Sequence, residues 1–148
     1  MSISVRRAIS ADTGQLLELI NAHAEFERTT AAITAETLAT LLALPEPPSF
    51  VLVAEQDHAL LGYAAVTRDY ALWSGVHFAH LDCLYVAEHV RGKGIGRALL
   101  DAASALARSW NCPRLEWQTP AWNSDAIGFY RRIGAKAADK ARFSLPLG

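Results

Sequence analysis

The segment Val86–Leu100 constrains the fold more than any other part of the chain. An apolar, strand-like run ends at Val86, and a helical pattern with one apolar stripe starts at Ile95. Three alternate glycines and three cations lie between and just after them: Gly92, Gly94, Gly96, Arg91, Lys93 and Arg97. Glycine lets backbone N–H groups approach a ligand, and a helix N-terminus adds unpaired donors with partial positive charge. The segment therefore predicts an anion-binding turn between a strand and a helix.

Two common phosphate-binding motifs do not fit this turn. A P-loop requires Ser or Thr after its Gly-Lys pair, whereas Gly94 follows Lys93. A dinucleotide-binding fingerprint requires a third glycine where Arg97 stands. The simplest alternative is a tight turn without a ligand, but three glycines and three cations at one helix start favour the anion site.

Composition limits the class of protein. The chain has 148 residues, 51% of them hydrophobic, and 14 Lys and Arg against 15 Asp and Glu. This length and balance predict one soluble domain over residues 1–148 and give no general attraction to nucleic acid or an anionic membrane. No uncharged apolar run reaches the roughly 18 residues of a membrane span, and no secretory signal is recognised, so we expect a cytoplasmic protein.

Hydrophobic periodicity predicts an α/β fold with a mixed sheet in the order β-α-α-β-β-β-α-β-α-β. Most of the sheet should be antiparallel, with one parallel pair joined by the helix after the glycine turn. The expected strands are residues 2–8, Phe50–Ala54, Leu60–Val66, Val76–Val86, Leu115–Thr119 and Ala141–Leu145. The expected helices start at Ser10 or Asp12, Thr34, Ile95 and Ser124, and end near Arg28, Leu44, Arg108 and Arg132.

Arg91–Gly96 resembles the Arg/Gln-x-x-Gly-x-Gly/Ala signature of the GCN5-related N-acetyltransferase (GNAT) family, which also has this order of elements. The resemblance implies an acetyl-CoA cosubstrate whose pyrophosphate is bound by the backbone from Gly92 through Ile95 to Arg97. It also implies a splayed sheet, in which the pantetheine arm lies along Leu84, Tyr85 and Val86 as an added strand.

Asn123–Gly134 resembles the second cofactor segment of that family, with an asparagine before a helix that carries a Phe-Tyr pair. By this resemblance Asn123 contacts the pantetheine, and Tyr130 protonates the CoA thiolate as it leaves. Both residues have structural alternatives, because Asn123 can be a helix cap and the ring of Tyr130 can lie in the core.

Asp82 is the candidate base. Alkyl amines are mostly protonated at neutral pH, so a carboxylate that binds the ammonium and accepts its proton, directly or through water, assists acetylation. Asp82 interrupts an apolar strand, where an acid is costly unless it is paired or faces a solvated cleft. A surface-facing alternate position is the other interpretation.

Among GNAT enzymes, the chain is most similar to the diamine and thialysine N-acetyltransferases. In those enzymes an aromatic-acid pair like Phe26-Glu27, and an acid at the position of Asp82, contact the amine. Trp73 lies in a further similar stretch, and the family resemblance implies a homodimer. Phe26-Glu27 could equally be an ordinary helix end, and Trp73 a packing residue of a hairpin. Thr29–Ala32 carries no acid and the acidic C-terminal tail is missing, so a smaller amine or an amino-acid side chain is also plausible.

The resemblance implies an enzyme that acetylates a primary amine of a small molecule by direct transfer. A non-catalytic acyl-CoA sensor and acetylation of a protein or antibiotic amine are the alternatives. The five histidines and two cysteines show no ligand spacing, so we expect no metal and assign the cysteines no chemistry.

Overall fold

The computed structural model describes residues 2–148. The chain divides into two compact units, one ending at Gln118 and the other comprising Thr119–Gly148. The assignment of residues 1–148 to one domain stays a prediction. Among residues 2–148, no helix has the length and apolar character needed to cross a bilayer.

Five strands and four α-helices account for the regular structure of the described residues. The strands are β1 (Ser4–Arg7), β2 (Phe50–Gln56), β3 (Ala59–Ala71), β4 (Val76–Val86) and β5 (Leu115–Trp117). The helices are α1 (Thr13–Phe26), α2 (Ala35–Ala43), α3 (Ile95–Ser109) and α4 (Ser124–Arg132), with short 3-10 turns at Ser10–Asp12 and Glu88–Val90.

The sheet has the order β1-β2-β3-β4-β5, antiparallel except for the parallel pair β4 and β5. This confirms the predicted mixed sheet and its one parallel pair. Asp57 and His58 connect β2 to β3 with φ angles of 51° and 65°, the positive values that a tight two-residue hairpin requires.

Helices cover both faces of the sheet in the first unit. Leu16 and Leu19 of α1 and Leu38 of α2 form a buried cluster with residues that include Val53 and Tyr63 of the sheet. Neighbouring strand residues point to opposite faces, and a side chain at Gly62 would meet Leu99 of α3. The third helix therefore packs on the face opposite α1 and α2.

The start of the chain is held by a partly buried ion pair that the sequence did not predict. Asp12 is the residue before α1, but its carboxylate does not cap that helix. Instead it accepts two hydrogen bonds from Arg6, at 2.8 and 2.9 Å, and one from the Ile9 amide at 2.8 Å. Glu55 on β2 accepts from the same guanidinium at 3.0 Å. These bonds tie β1, β2 and the entry to α1 together.

Acid should weaken this junction, and Asp12→Asn should reproduce much of the loss. The hydrogen bonds from Arg6 hold the pKa of the Asp12 carboxyl below its ordinary value of 3.8. A carboxyl with a lower pKa in the folded state stabilises the fold above its unfolded pKa, and this contribution disappears as pH falls through the folded pKa. Urea unfolding at about pH 7 should show a loss of about 1–3 kcal/mol for Asp12→Asn, shrinking toward about pH 3.

The exposed pair Arg97–Asp101 on α3, 3.1 Å apart, supplies the control for Asp12. Asp101→Asn should change the free energy of unfolding by less than about 0.5 kcal/mol at either pH. Equal effects of the two substitutions would contradict the structural role of Asp12.

In the second unit, the predicted helix is confirmed and the predicted last strand is wrong. Gly134, with φ at 96°, follows α4 and lets the Ala135 amide bond back to the Tyr130 carbonyl. Residues 141–145 form no strand. Phe143 and Leu145 alternate as in a strand, but they are 91% and 81% exposed, and a strand needs a hydrogen-bonded partner as well as alternation.

Candidate active site

A β-bulge in β4 places Asp82 outside the regular pairing of the sheet. Leu81 pairs with Val66 and Cys83 with Ala65, so Asp82 is the extra residue between two consecutive pairs. A bulge bends the strand and redirects its side chains. Asp82 is exposed although its neighbour Leu81 is buried. The bulge thus explains how an acid is accommodated in an apolar strand.

The strands β4 and β5 separate at the same position. Their parallel pairing covers Ala79–Leu115, His80–Glu116 and Leu81–Trp117, and β5 ends there while β4 continues to Val86. Within the described chain, residues 83–86 therefore pair with β3, and residues 82–86 have no partner from β5. This separation agrees with the splayed sheet that the family resemblance implies.

The backbone of β4 offers hydrogen-bonding groups on this open side. The Ala87 amide donates to the Leu61 carbonyl at 2.8 Å, and backbone direction alternates along an antiparallel strand. Tyr85 therefore directs its backbone N–H and C=O toward β3, and Leu84 and Val86 direct theirs away from it. The outward Val86 carbonyl accepts from Nε of Arg91 at 2.9 Å. The Val86 N–H and the two backbone groups of Leu84 are the ones that remain on this side for an extended ligand that adds to the strand.

The glycine turn needs its glycines for conformation. Gly92 and Gly94 have φ angles of 81° and 82°, in the left-handed region that residues with a Cβ rarely adopt. Apart from the chain neighbours, no atom lies within 4 Å of the point where a Cβ would sit on either residue. Since the first bond within α3 runs from the Ala98 amide to the Gly94 carbonyl, the first-turn amides at residues 95, 96 and 97 have no intrahelical acceptor. This donor set fits the phosphates of an acyl-CoA.

The three cations of the turn differ in their contacts. Arg91 donates through Nε to the Val86 carbonyl at 2.9 Å, and its guanidinium carbon lies 5.0 Å from the ring centre of Phe26. Arg97 pairs with Asp101, and Lys93 is exposed. Arg91 therefore connects the turn to β4 and α1, a role that the sequence pattern did not indicate.

A hydrogen-bonded cluster joins the end of α1 to the sheet. His23 lies 2.8 Å through Nε2 from a carboxylate oxygen of Glu27 and 2.6 Å through Nδ1 from the hydroxyl of Tyr63. Its ring stacks on Tyr85, with centroids 5.0 Å apart. Arg91 also lies over the Tyr85 ring, at 5.4 Å. Glu27 is the C-cap of α1 and belongs to this hydrogen-bonded cluster. A contact between Glu27 and an amine stays a prediction.

Asp82 is connected to this cluster through its neighbour. The thiol of Cys83 donates to the Asp82 carboxylate with 3.7 Å between sulfur and oxygen. Burial, followed by the nearby charge of Asp82, raises the pKa of Cys83 to about 12. The thiol is therefore protonated at neutral pH and unsuited to nucleophilic attack. The negative charges of Glu27 and Asp82 also both contribute to raising the pKa of Tyr63, after burial.

The structure does not bring Trp73 to this cluster. Trp73 is fully exposed in the turn between β3 and β4, so its ring is not a packing residue of the hairpin. It lines an open depression of about 550 Å³ together with Leu72 and Arg114. Six residues of β4 separate the start of that strand from Asp82, roughly 20 Å of extended chain. A substrate contact by Trp73 stays a prediction.

The second unit carries the remaining predicted residues. Asn123 accepts a hydrogen bond from the Ala126 amide at 3.3 Å, so it caps α4 as the structural alternative proposed. Tyr130 is half-buried on α4, and its ring centre lies 5.4 Å from that of Phe129. Their roles toward acetyl-CoA stay predictions.

His23 and Tyr63 are the site residues that sequence reasoning missed. The signal for His23 was present, because a histidine four residues before Glu27 lies on the same helix face. Among residues 2–148, no three His, Cys, Asp or Glu side chains are grouped to hold a metal ion.

Comparison with known proteins agrees with this geometry. The family model described as "Acetyltransferase (GNAT) family" matches residues 15–135. A thialysine N-epsilon-acetyltransferase of Sus scrofa is 27% identical over 95% of this chain and 88% of its own length. A peptidyl-lysine N-acetyltransferase of Salmonella typhimurium is 33% identical over 66% of this chain and 57% of its own length. An aminoglycoside acetyltransferase from an uncultured soil metagenomic sample has the same fold, with a TM-score of 0.81 at 21% identity, covering 99% of this chain and 97% of that one.

The mixed sheet, and the match of residues 15–135 to an acetyltransferase family model, identify the class of protein as an acetyl-transferring enzyme. The chain belongs to the GNAT acetyltransferase family. It is therefore an acetyl-CoA-dependent N-acetyltransferase and not the non-catalytic sensor considered from the sequence.

Proposed function

We propose that the enzyme acetylates a primary amine on the alkyl chain of a small molecule, a diamine, a polyamine or a lysine-like amino acid. The observation that carries this proposal is the placement of Asp82 on the bulge where β4 leaves β5. A second carboxylate, Glu27, lies in the adjoining cluster, so the region favours a cationic acceptor. The name of the thialysine relative supports a lysine-like small molecule, and the name of the peptidyl-lysine relative supports a peptide lysine as the alternative acceptor.

In this proposal the residues of the chain bind and orient both substrates. Acetyl-CoA supplies the acetyl group and a thiolate leaving group. The amides from Gly92 to Arg97 hold its phosphates, and the outward backbone groups of Leu84 and Val86 hold its extended arm. An N–H of this strand polarises the carbonyl that is attacked.

Proton transfer is assigned to two side chains. Asp82, directly or through a water molecule, removes a proton from the bound ammonium so that the neutral amine attacks. Tyr130 donates its hydroxyl proton to the departing thiolate. Acetyl transfer is direct, without an acyl-enzyme, which agrees with a Cys83 thiol that keeps its proton. A homodimer and a cytoplasmic location stay predictions.

A panel of amines tests the proposed acceptor. Purified protein is incubated with acetyl-CoA and, separately, putrescine, spermidine, thialysine, lysine, a lysine-containing peptide and an aminoglycoside, and the release of free thiol is followed. We expect thiol release above the amine-free blank with the small alkyl amines. Release with the peptide alone or the aminoglycoside alone would overturn the small-molecule assignment and leave the acetyltransferase class intact.

Tyr130→Phe tests the proposed acid. The substitution keeps the ring and removes the proton donor, so kcat should fall about a hundredfold while the KM for acetyl-CoA stays within about twofold. Tyr70→Phe, an exposed position on β3, is the matched control and should leave both constants unchanged. An unchanged kcat for Tyr130→Phe would remove Tyr130 from this role.

A further inference from the structure

His23 is enclosed between two polar partners on different elements. It occupies the last turn of α1, and its side chain is only 14% exposed. Nε2 lies 2.8 Å from Oε2 of Glu27, and Nδ1 lies 2.6 Å from the hydroxyl of Tyr63 on β3. Both ring nitrogens are therefore engaged, and the imidazole joins the helix to the sheet.

The chemistry of these partners fixes the tautomer of the neutral ring. An ionised carboxylate only accepts hydrogen bonds, so Nε2 must carry the proton that is donated to Glu27. Nδ1 is then an acceptor, and the hydroxyl of Tyr63 donates to it. Burial raises the pKa of Tyr63 above its usual range, so this hydroxyl keeps its proton. The donors run in one direction, from Tyr63 to His23 to Glu27.

The surroundings of the imidazole determine the effect of charging it. Tyr85 of β4 stacks on the ring, and Arg91 of the glycine turn lies on the same tyrosine. Cys83 of β4, whose pKa burial raises, is neutral, and its thiol donates to Asp82, which is the further negative charge on this side of the cluster. Of the charged groups around the cluster, Glu27 is the one in direct contact with His23, so that carboxylate is the partner whose charge an imidazolium compensates.

We propose that His23 is a positioning residue for amine binding: it holds the Glu27 carboxylate and, when protonated, neutralises it. The inference rests on the proposed function, because it takes Glu27 as a contact for the ammonium group. With a neutral ring, Glu27 presents a full negative charge to the amine. With an imidazolium, Glu27 is one half of an ion pair and attracts a second cation less.

The protonated state can form without breaking the cluster. Nδ1 then becomes a donor, and the oxygen of Tyr63 accepts from it. The hydroxyl hydrogen can rotate toward the Cys83 sulfur, with which Tyr63 already interacts. Acid therefore lowers amine affinity, while the acetyl-CoA turn at residues 91–97 keeps its donors.

Two substitutions separate the hydrogen bond that His23 donates to Glu27 from the positive charge of a protonated His23. In His23→Gln the side-chain amide still donates to Glu27 but does not titrate. In His23→Leu neither function remains. With thialysine and putrescine as amines, we expect the wild-type KM to rise about tenfold from about pH 8 to about pH 5.5, with little change in the KM for acetyl-CoA. His23→Gln should keep a low KM at both pH values, and His23→Leu should raise it about tenfold at both. A wild-type pH dependence in His23→Gln, or an unchanged KM in His23→Leu, would overturn the proposal.

A measurement without turnover distinguishes failure of this inference from failure of the proposed function. Nitrogen-15 NMR of the histidine rings in the protein without substrates reports which nitrogen carries the proton. We expect the proton of neutral His23 on Nε2 in the wild type and both tautomers in Glu27→Gln, because an amide both donates and accepts. A proton on Nδ1 in the wild type would refute the arrangement, whether or not any amine is acetylated. If the proton of His23 is on Nε2 but no amine is acetylated, the result would count against the proposed acceptor and not against the role of His23.

Discussion

Replacing Asp82 by asparagine should lower kcat for acetylation of the amine by about a hundred- to ten-thousandfold at neutral pH, the usual contribution of a general base. The substitution keeps size and shape, and it leaves the Cys83 thiol an oxygen to which it can donate. The ammonium then has to lose its proton to solvent. As the pH rises, more of the amine is deprotonated without help, so the variant's rate should recover about tenfold per pH unit. Rates of thiol release from about pH 6.5 to about pH 10 provide the measurement.

Asp69→Asn is the matched control for Asp82→Asn, because Asp69 is an exposed carboxylate on the neighbouring strand β3. It should leave kcat and its pH profile unchanged. If Asp82→Asn behaves in the same way, Asp82 is an ordinary surface acid and the base is elsewhere. If kcat falls but does not recover with pH, the carboxylate binds the amine without removing its proton.

The sequence predicted correctly those elements whose signals lie close together in the chain. The apolar run to Val86, the glycines and the stripe from Ile95 specify strand, turn and helix within fifteen consecutive residues, and that part was confirmed. Phe143 and Leu145 show an equally regular alternation, but a strand also depends on a partner edge from elsewhere in the chain. Sequence patterns report the side-chain period and not the pairing, which explains the wrong last strand.

In the candidate site, too, the sequence did not reveal contacts between residues that are distant in the chain. Alternation of apolar and polar residues did not decide the environment of Asp82. Asp82 has no partner between Ala65 and Val66 of β3, and this bulge changes the face of the sheet on which the later residues of β4 lie. The contact between His23 and Tyr63 joins residues forty positions apart. Of these contacts, only the one between His23 and Glu27 could be predicted from the sequence, because residues four apart lie on the same helix face.

One position outside the motifs controls both the stability of the sheet and the open strand. Gly62 on β3 pairs with Val86, at the end of β4. A Cβ on Gly62 would lie 2.6 Å from the Tyr85 carbonyl oxygen, 3.1 Å from Cδ1 of Leu99 and 3.3 Å from Cα of Val86. Two of these atoms are backbone, so a change of rotamer cannot relieve the contact.

Gly62→Ala should therefore destabilise the fold by about 1–3 kcal/mol, as overpacking in a well-packed core does. Because the displaced atoms belong to the strand proposed to bind pantetheine, the KM for acetyl-CoA should also rise, while the pH profile set by the amine site stays the same. Urea unfolding and initial rates measure the two effects. Gly14→Ala is the control, since no atom lies within 4 Å of its added methyl group, and alanine favours the helix by up to about 1 kcal/mol. Equal stability of the two variants would show that β3 and β4 can move apart at Gly62 at no cost in free energy. Residues 83–86 of β4 would then not be held rigidly enough to orient a cosubstrate.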